Sequence, residues 1–241
     1  MFGKDFISTG GRGSTEALLK EWSFPKDAKV LDIGCGTGGS AFLMAHEHNA
    51  TVLGLDLSAN MLGQAIDRLA ESDNDSIRDQ VKFELLDATT ADLPEGEYDV
   101  IYSRDAILHI GDKAGLFARC MKWLKPGGRI MISDYAVGAG ADEEFAAYLA
   151  DRQYQLTTVS NYGAILTAAG FADVVARDAT ADFVHWLKVE LERMETHKEQ
   201  LLSEVGQEAF DKLEGGWKAK LVRVEKGYQA WGAYAGTKPA Q

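Results

Sequence analysis

The stretch Val30-Leu31-Asp32-Ile33-Gly34-Cys35-Gly36-Thr37-Gly38-Gly39 decides how the rest of the chain is read. A short apolar run enters a glycine-rich turn, and the next segment, GGSAFLMAHEHN, reads as a helix. Glycines let the backbone turn tightly between strand and helix and approach a bulky ligand without Cβ clashes. Asp32 precedes the glycines. A carboxylate there disfavours a pyrophosphate, which counts against the dinucleotide version of this turn, and it suits a ligand that carries an ammonium group.

Outward from the turn, strands and helices alternate. TVLGLDLS reads as a second strand, ANMLGQAIDRLAES as a helix, VKFELLDA as a third strand and EYDVIYSRDA as a fourth. KAGLFARCMKWLK is a helix, LKPGG a turn and RIMISDYA a fifth strand. This rhythm predicts an α/β fold: a doubly wound, mostly parallel sheet with helices on both faces. Beyond Tyr135, DEEFAAYLADRQY and SNYGAILTAAGF read as helices and FADVVARDAT as a strand. From Asp182, Phe183, Trp186, Leu187, Glu190, Leu191 and Met194 recur at helical spacing, which predicts a helix packed on the core rather than on a membrane. The tail GYQAWGAYAGTKP suits a last strand. With no repeat and no linker, residues 1–241 are read as one domain, with helical segments around 140–160 and 181–220 covering the site.

Bulk properties exclude some functions. A net charge of −12 over 241 residues repels nucleic acid across much of the surface, although a local basic pocket would still hold a small anion. Cys35 and Cys120 are too few for a disulfide framework and sit in no metal-spacing motif, and HEH at 46–48 is a weak metal signal, so no metal is expected. No apolar run approaches the roughly 20 residues that span a bilayer, and MFGKDFISTGG lacks the features of a signal peptide. A cytoplasmic protein without stable membrane association is expected.

Two further acids close predicted strands. Asp56 ends LGLD and Asp87 ends FELLD, each a carboxylate able to accept hydrogen bonds from a bound ligand. The D-x-G-x-G-x-G form of residues 32–38, with these acids, resembles the S-adenosylmethionine-dependent methyltransferases. The resemblance implies a Rossmann-like fold, S-adenosylmethionine as cofactor and S-adenosylhomocysteine as product. It assigns Asp32, Gly34, Gly36, Asp56, Leu57, Asp87, Ala88 and Arg104 to cofactor binding, with Asp87 receiving the adenine amino group.

A narrower resemblance rests on YSRDAILHI from Tyr102, together with FISTGG, CMKWLKPGG, ISDYA, YLADRQYQLTTVSNYGAILTAAGF and WKAKL…WGAYAGTKP. These resemble the phosphoethanolamine N-methyltransferases of protozoa, nematodes and plants over nearly the whole chain. The implied substrate is phosphoethanolamine or its mono- and dimethyl forms, methylated towards phosphocholine. By resemblance, Tyr135, Tyr148, Arg152, Tyr154 and Lys220 bind its phosphate, Ile7 and Ser8 close over the cofactor, and the protein is a monomer. Asp105 touches cofactor and amine, and His109 acts in catalysis. Residue chemistry agrees with these roles. Tyr148 and Arg152 stand four apart, so a helix puts them on one face, and His109 follows Asp105 at the same interval. Arginine presents a planar fork to phosphate, and histidine titrates in a range suited to deprotonating an amine.

The family's histidine pairs with a tyrosine upstream of the FISTGG motif, and MFGKD contains none. Three readings stay open: a missing N-terminal segment, one domain of a two-domain member, or His109 acting alone or with a substitute. Two other functions also stay open. One is methylation of another small anionic amine or related nucleophile; the other is a non-catalytic S-adenosylmethionine-binding module, against which Asp105 and His109 stand.

Overall fold

The computed structural model of the protein describes residues 6–240. Strand β1 (Lys29–Ile33) lies inside a seven-stranded sheet with β2 (Thr51–Asp56), β3 (Val81–Leu85), β4 (Tyr98–Arg104), β5 (Leu124–Val137), β6 (Ala172–Asp178) and β7 (Gln229–Thr237). The order is β3-β2-β1-β4-β5-β7-β6, with β1 to β5 parallel and β7 antiparallel to both β5 and β6. The expected mostly parallel α/β sheet is therefore present, and the tail does return as a strand.

The sheet is buried on both faces because its central strands carry apolar residues at consecutive positions. Side chains alternate across a strand, so neighbours in sequence serve opposite cores. Val30, Val100, Tyr102 and Met131 join one cluster with Leu18, Trp22, Phe183, Leu187 and Trp231. Leu31, Ile101, Ile130 and Ile132 join the other with Phe117, Trp123, Tyr162 and Tyr234. Helices α1 (Gly11–Glu21), α2 (Gly39–His48) and α8 (Thr180–Thr196) bury residues in the first core; α5 (Lys113–Trp123) and α7 (Val159–Ala168) do so in the second. Side-chain caps start several of the other helices: Ser58 receives Met61 N–H at the head of α3 (Ala59–Ala70), and Asp142 receives Phe145 N–H at α6 (Glu143–Asp151).

Three local differences from the sequence reading matter. A short helix α4 (Asp75–Gln80), capped by Asn74, precedes β3. LKPGG is not a free turn but the irregular start of β5: Leu124 pairs with Tyr98 and the register then shifts, with Gly127 left-handed at φ 78°. The helix read onward from Asp182 breaks at His197 into α8 and α9 (Lys198–Val205). On α8 the predicted stripe is real, since Phe183, Leu187, Glu190 and Met194 are buried. This helix packs on β7 and on α10 (Gln207–Glu225). Among the described residues no helix is long and apolar enough to cross a membrane.

Strand order reverses direction between β1 and β4, which opens a crevice beyond the carboxyl ends of the strands.

Candidate active site

A cavity of about 930 Å³ fills the crevice. Its lining comes from Asp32 to Gly36 after β1, Asp56 and Leu57 after β2, Asp87 and Ala88 after β3, Arg104 to Ala106 after β4, and Tyr135 on β5. Ile7, Ser8, His109 and Tyr154 are also on it. Every residue assigned from sequence to cofactor binding or catalysis is on this wall.

The glycine loop has the expected steric reason. Gly34 and Gly36 have φ of 76° and 55°, and a Cβ would meet Ala106 at 2.2 Å on the first and Ile7 Cδ1 at 2.6 Å on the second. Ile7 therefore lies directly over the loop. Asp32 is buried beneath it, and its Oδ2 has no hydrogen-bond partner among the described residues. Burial and the neighbouring Asp56 push this carboxyl up to about 8, with Arg104 opposing. An orphaned buried carboxylate facing a cavity calls for a cation, so the site fits a ligand with an ammonium group. Asp56 accepts Gly36 N–H and Ser58 N–H at 2.8 Å each, which fixes its carboxylate at the rim with lone pairs to spare. Asp87 uses Oδ1 for Thr89. Leu57 is 70% exposed, an apolar surface beside Asp56 with no protein neighbour covering it.

Arg104 behaves differently from a free ligand donor. Its guanidinium is buried and donates to Ser133 Oγ, Thr15 Oγ1 and Thr9 O at 3.1, 2.5 and 2.9 Å. What it offers the cavity is positive charge, while its donors hold the segment after Ile7 and Ser8.

Asp105 and His109 do not share a helix. Asp105 is left-handed at φ 49° and His109 ends a separate 3-10 turn, Ile107–His109, because the chain must break from β4 to turn along the cavity. The Asp105 carboxylate accepts the Trp231 indole N–H at 2.8 Å and the Thr9 amide at 3.3 Å. The turn behind His109 is held by Lys113, whose buried ammonium donates to Ile107 O, Ile110 O and Gln155 O. Partial burial, and secondarily the Lys113 charge, hold the His109 imidazole below its ordinary range. Residues 1–5, which precede the FISTGG motif, lie outside the described residues. The ring of His109 meets Tyr154 edge-on, centroids 5.3 Å apart.

Tyr154 is the hub of the other end. It also meets Tyr135 at 6.3 Å and Tyr148 at 6.1 Å. Lys220 on α10 donates to the Tyr135 hydroxyl at 3.0 Å and sits 4.1 Å from the Trp217 ring centroid. Burial lowers the Lys220 ammonium, with Asp105 and Glu190 opposing, whereas burial raises the phenols of Tyr135 and Tyr154. Those two phenols are therefore neutral donors around a cation. Arg152 closes the last turn of α6, with its amide on Tyr148 O at 3.1 Å and its guanidinium 5.8 Å from the Tyr148 ring. It is exposed, with 58% of the side chain accessible, and, like Tyr148 and Lys220, is not on the cavity wall, which Tyr135 and Tyr154 do line.

Comparison with known proteins decides the family. A methyltransferase-domain model matches residues 25–207. The chain is 36% identical over 242 residues to the phosphoethanolamine N-methyltransferase of Plasmodium falciparum, covering 99% of this chain and 89% of that one. The wheat (Triticum aestivum) phosphoethanolamine N-methyltransferase is 45% identical over 239 residues, covering 99% of this chain and 46% of that one. The chain thus spans about half the length of the plant relatives it matches. Haemonchus contortus phosphoethanolamine N-methyltransferase 2, solved with phosphomonomethylethanolamine and S-adenosylhomocysteine, superposes with a TM-score of 0.93 at 37% identity, covering 99% of this chain and 56% of that one.

This chain belongs to the phosphoethanolamine N-methyltransferase family.

In this family member, four residues near the site escaped the sequence reading. Arg223 lies one turn beyond Lys220, with its guanidinium 4.2 Å from the Tyr148 ring and its Nε on Gln229. Spacing to Lys220 was the available signal. Trp231 and Glu190 act through partners far away in sequence, and Lys113 ties two nearby carbonyls to the distant Gln155. Among the described residues no group of three His, Cys, Asp or Glu side chains is placed to hold a metal ion.

Proposed function

We propose that the chain is a phosphoethanolamine N-methyltransferase, moving methyl groups from S-adenosylmethionine to the amine of phosphoethanolamine and/or its mono- and dimethyl forms, towards phosphocholine. The observation that carries this reading is the Lys220–Tyr135 pair: a cation bonded to a neutral phenol that lines one end of a crevice whose other end holds the orphaned carboxylate of Asp32. Two oppositely charged ligand groups are thereby given opposite ends, with Asp105 and His109 between them.

At the cofactor end, Asp32 takes the ammonium, Gly34 and Gly36 give the backbone close approach, and Asp56 takes the ribose hydroxyls. Asp87, Leu57 and Ala88 hold the adenine, Arg104 supplies charge, and Ile7 and Ser8 cover the group. Bound S-adenosylmethionine supplies an electrophilic methyl on a cationic sulfur. The remaining task for the protein is alignment, worth roughly 7–11 kcal/mol when a nucleophile is held at attack distance. Lys220, Tyr135, Tyr148, Tyr154 and Arg152 clamp the phosphate, with Arg223 holding Tyr148 from behind. His109, kept neutral by its surroundings, accepts the proton that frees the amine lone pair. Asp105 stabilises the positive charge that grows on nitrogen, and Trp231 and Thr9 keep its carboxylate aimed.

Residues 1–241 act as one domain in this reading, with the segments around 140–160 and 181–220 covering the substrate, and the protein works as a cytoplasmic monomer. The two buried free cysteines and the net charge of −12 support a reducing compartment and a small-molecule rather than nucleic-acid partner. Initial rates with S-adenosylmethionine and each of the three phosphobases test the proposal. Formation of S-adenosylhomocysteine with at least one, and not with ethanolamine, is expected; equal rates with ethanolamine would remove the phosphate site from the account.

A further inference from the structure

Glu190 is a carboxylate in the middle of an apolar helix stripe, 1% exposed. Burial raises its pKa, and such a group is costly unless both oxygens are satisfied. Here they are satisfied by two distant segments. Oε1 accepts the Gly10 amide at 2.6 Å and Oε2 accepts the Trp217 indole N–H at 2.7 Å. One turn earlier on α8, Trp186 presses on the same loop, so closely that a Cβ on Gly10 or Gly13 would lie 2.7 or 2.9 Å from its ring.

The contacts continue and close on themselves. Trp217 presents its ring to the Lys220 ammonium at 4.1 Å, Lys220 donates to the Tyr135 hydroxyl, and that hydroxyl stands 3.3 Å from Thr9 Oγ1. Thr9 and Gly10 directly follow Ile7 and Ser8, which cover the cofactor half of the cavity. The ring thus joins the cover of one ligand to the cation that meets the other. Its strongest members are the two short bonds to Glu190, whereas the Thr9–Tyr135 contact is a longer pairing of neutral hydroxyls.

We propose that Glu190 is a positioning residue that couples the two ligand sites, so that an anion held at Lys220 strengthens the hold of residues 7–10 over the cofactor, and the reverse. An anion fixes Lys220 and the indole beneath it; the fixed indole holds Glu190, and Glu190 holds the Gly10 amide. Ordering one end lowers the entropic cost of ordering the other, and the coupling is reciprocal. The inference rests on Lys220 being the phosphate-binding cation.

The test is a calorimetric titration of phosphoethanolamine into the full chain, with and without saturating S-adenosylhomocysteine. In the wild type the cofactor product is expected to tighten phosphoethanolamine binding about tenfold. Glu190→Gln leaves an amide nitrogen facing one of the two donors, since glutamine has a single acceptor oxygen. It is expected to reduce that factor to below about threefold, while S-adenosylhomocysteine binding alone changes by less than about threefold. Trp217→Phe, which keeps the carboxylate and a ring under Lys220, is expected to do the same and decides the matter if Glu190→Gln does not fold. A third readout needs no variant: phosphoethanolamine alone is expected to slow amide exchange across residues 7–10. Full coupling in the variants, absence of coupling in the wild type, or unchanged exchange would each overturn the role of Glu190. Absence of any phosphoethanolamine binding would instead overturn the reading of the phosphate site.

Discussion

The indole N–H of Trp231 donates to the Asp105 carboxylate at 2.8 Å, tying strand β7 to the loop after β4 across 126 residues of sequence. The Trp231 ring also stacks on Phe183, centroids 5.9 Å apart, so Trp231→Phe keeps an aromatic ring there while removing the donor. A hydrogen bond to a charged group contributes about 1.5–3 kcal/mol, so kcat is expected to fall roughly 10–100-fold. Affinity for S-adenosylhomocysteine should stay within about threefold. Unchanged kcat would show that the indole merely packs.

Removing the cation at the other end should act on binding. Lys220→Met is expected to raise KM for the phosphobase by about 10–100-fold, the loss of a charged hydrogen bond. Arg223→Gln, acting through Tyr148, and Arg152→Ala, on an exposed side chain, are expected to cost less, about two- to tenfold each. Steady-state kinetics at saturating S-adenosylmethionine separate the effects. A Lys220 variant with wild-type KM contradicts the phosphate site.

Cofactor binding should release a proton. The Asp32 carboxyl is pushed up to about 8 by burial and Asp56, so at pH 7 it is mostly protonated. An incoming ammonium favours the charged form, and affinity therefore rises with pH until Asp32 is ionised in the free protein. Calorimetry of S-adenosylhomocysteine binding at pH 7, in buffers of different ionisation enthalpy, should show release of about one proton. Asp32→Asn should bind weakly and release none. Buffer-independent heats in the wild type would contradict a protonated Asp32.

His109 should set the acid limb of the rate profile. It must be neutral to accept a proton, and its pKa lies below the ordinary imidazole value, so activity persists below pH ~6.5 and is lost as the pH falls further. Measuring kcat at saturating substrate keeps ionisation of the free phosphobase out of the profile. His109→Asn is expected to lower kcat by about 10²–10⁴ and to abolish the limb. If the limb survives the substitution, another group is the base.

Much of the site was legible because its parts are local. Asp32 is two residues before Gly34, and Asp56 and Asp87 close or follow strands that their own apolar runs announce. Tyr148 and Arg152 share the last turn of α6 as their spacing required. Other local reasoning misled. Asp105 and His109 have helical spacing, yet the left-handed backbone at Asp105 takes them off a common helix. Arg104, assigned to cofactor binding by resemblance, lines the cavity with its guanidinium on three protein acceptors, which no local pattern announced.

By itself the sequence determined the order of the strands, the glycine loop and the acids at the strand ends. Each of these is written in backbone propensity and short-range periodicity, which act within a few residues. Only the tertiary structure decided that Gly10, Glu190 and Trp217 meet, that Trp231 aims Asp105, and that Arg223 backs Tyr148. Those contacts exist because folding brings α8 and α10 against the segment before α1, β7 against the loop after β4, and α10 against α6. Sequence separations of 126 and 180 residues carry no periodic trace of such an encounter.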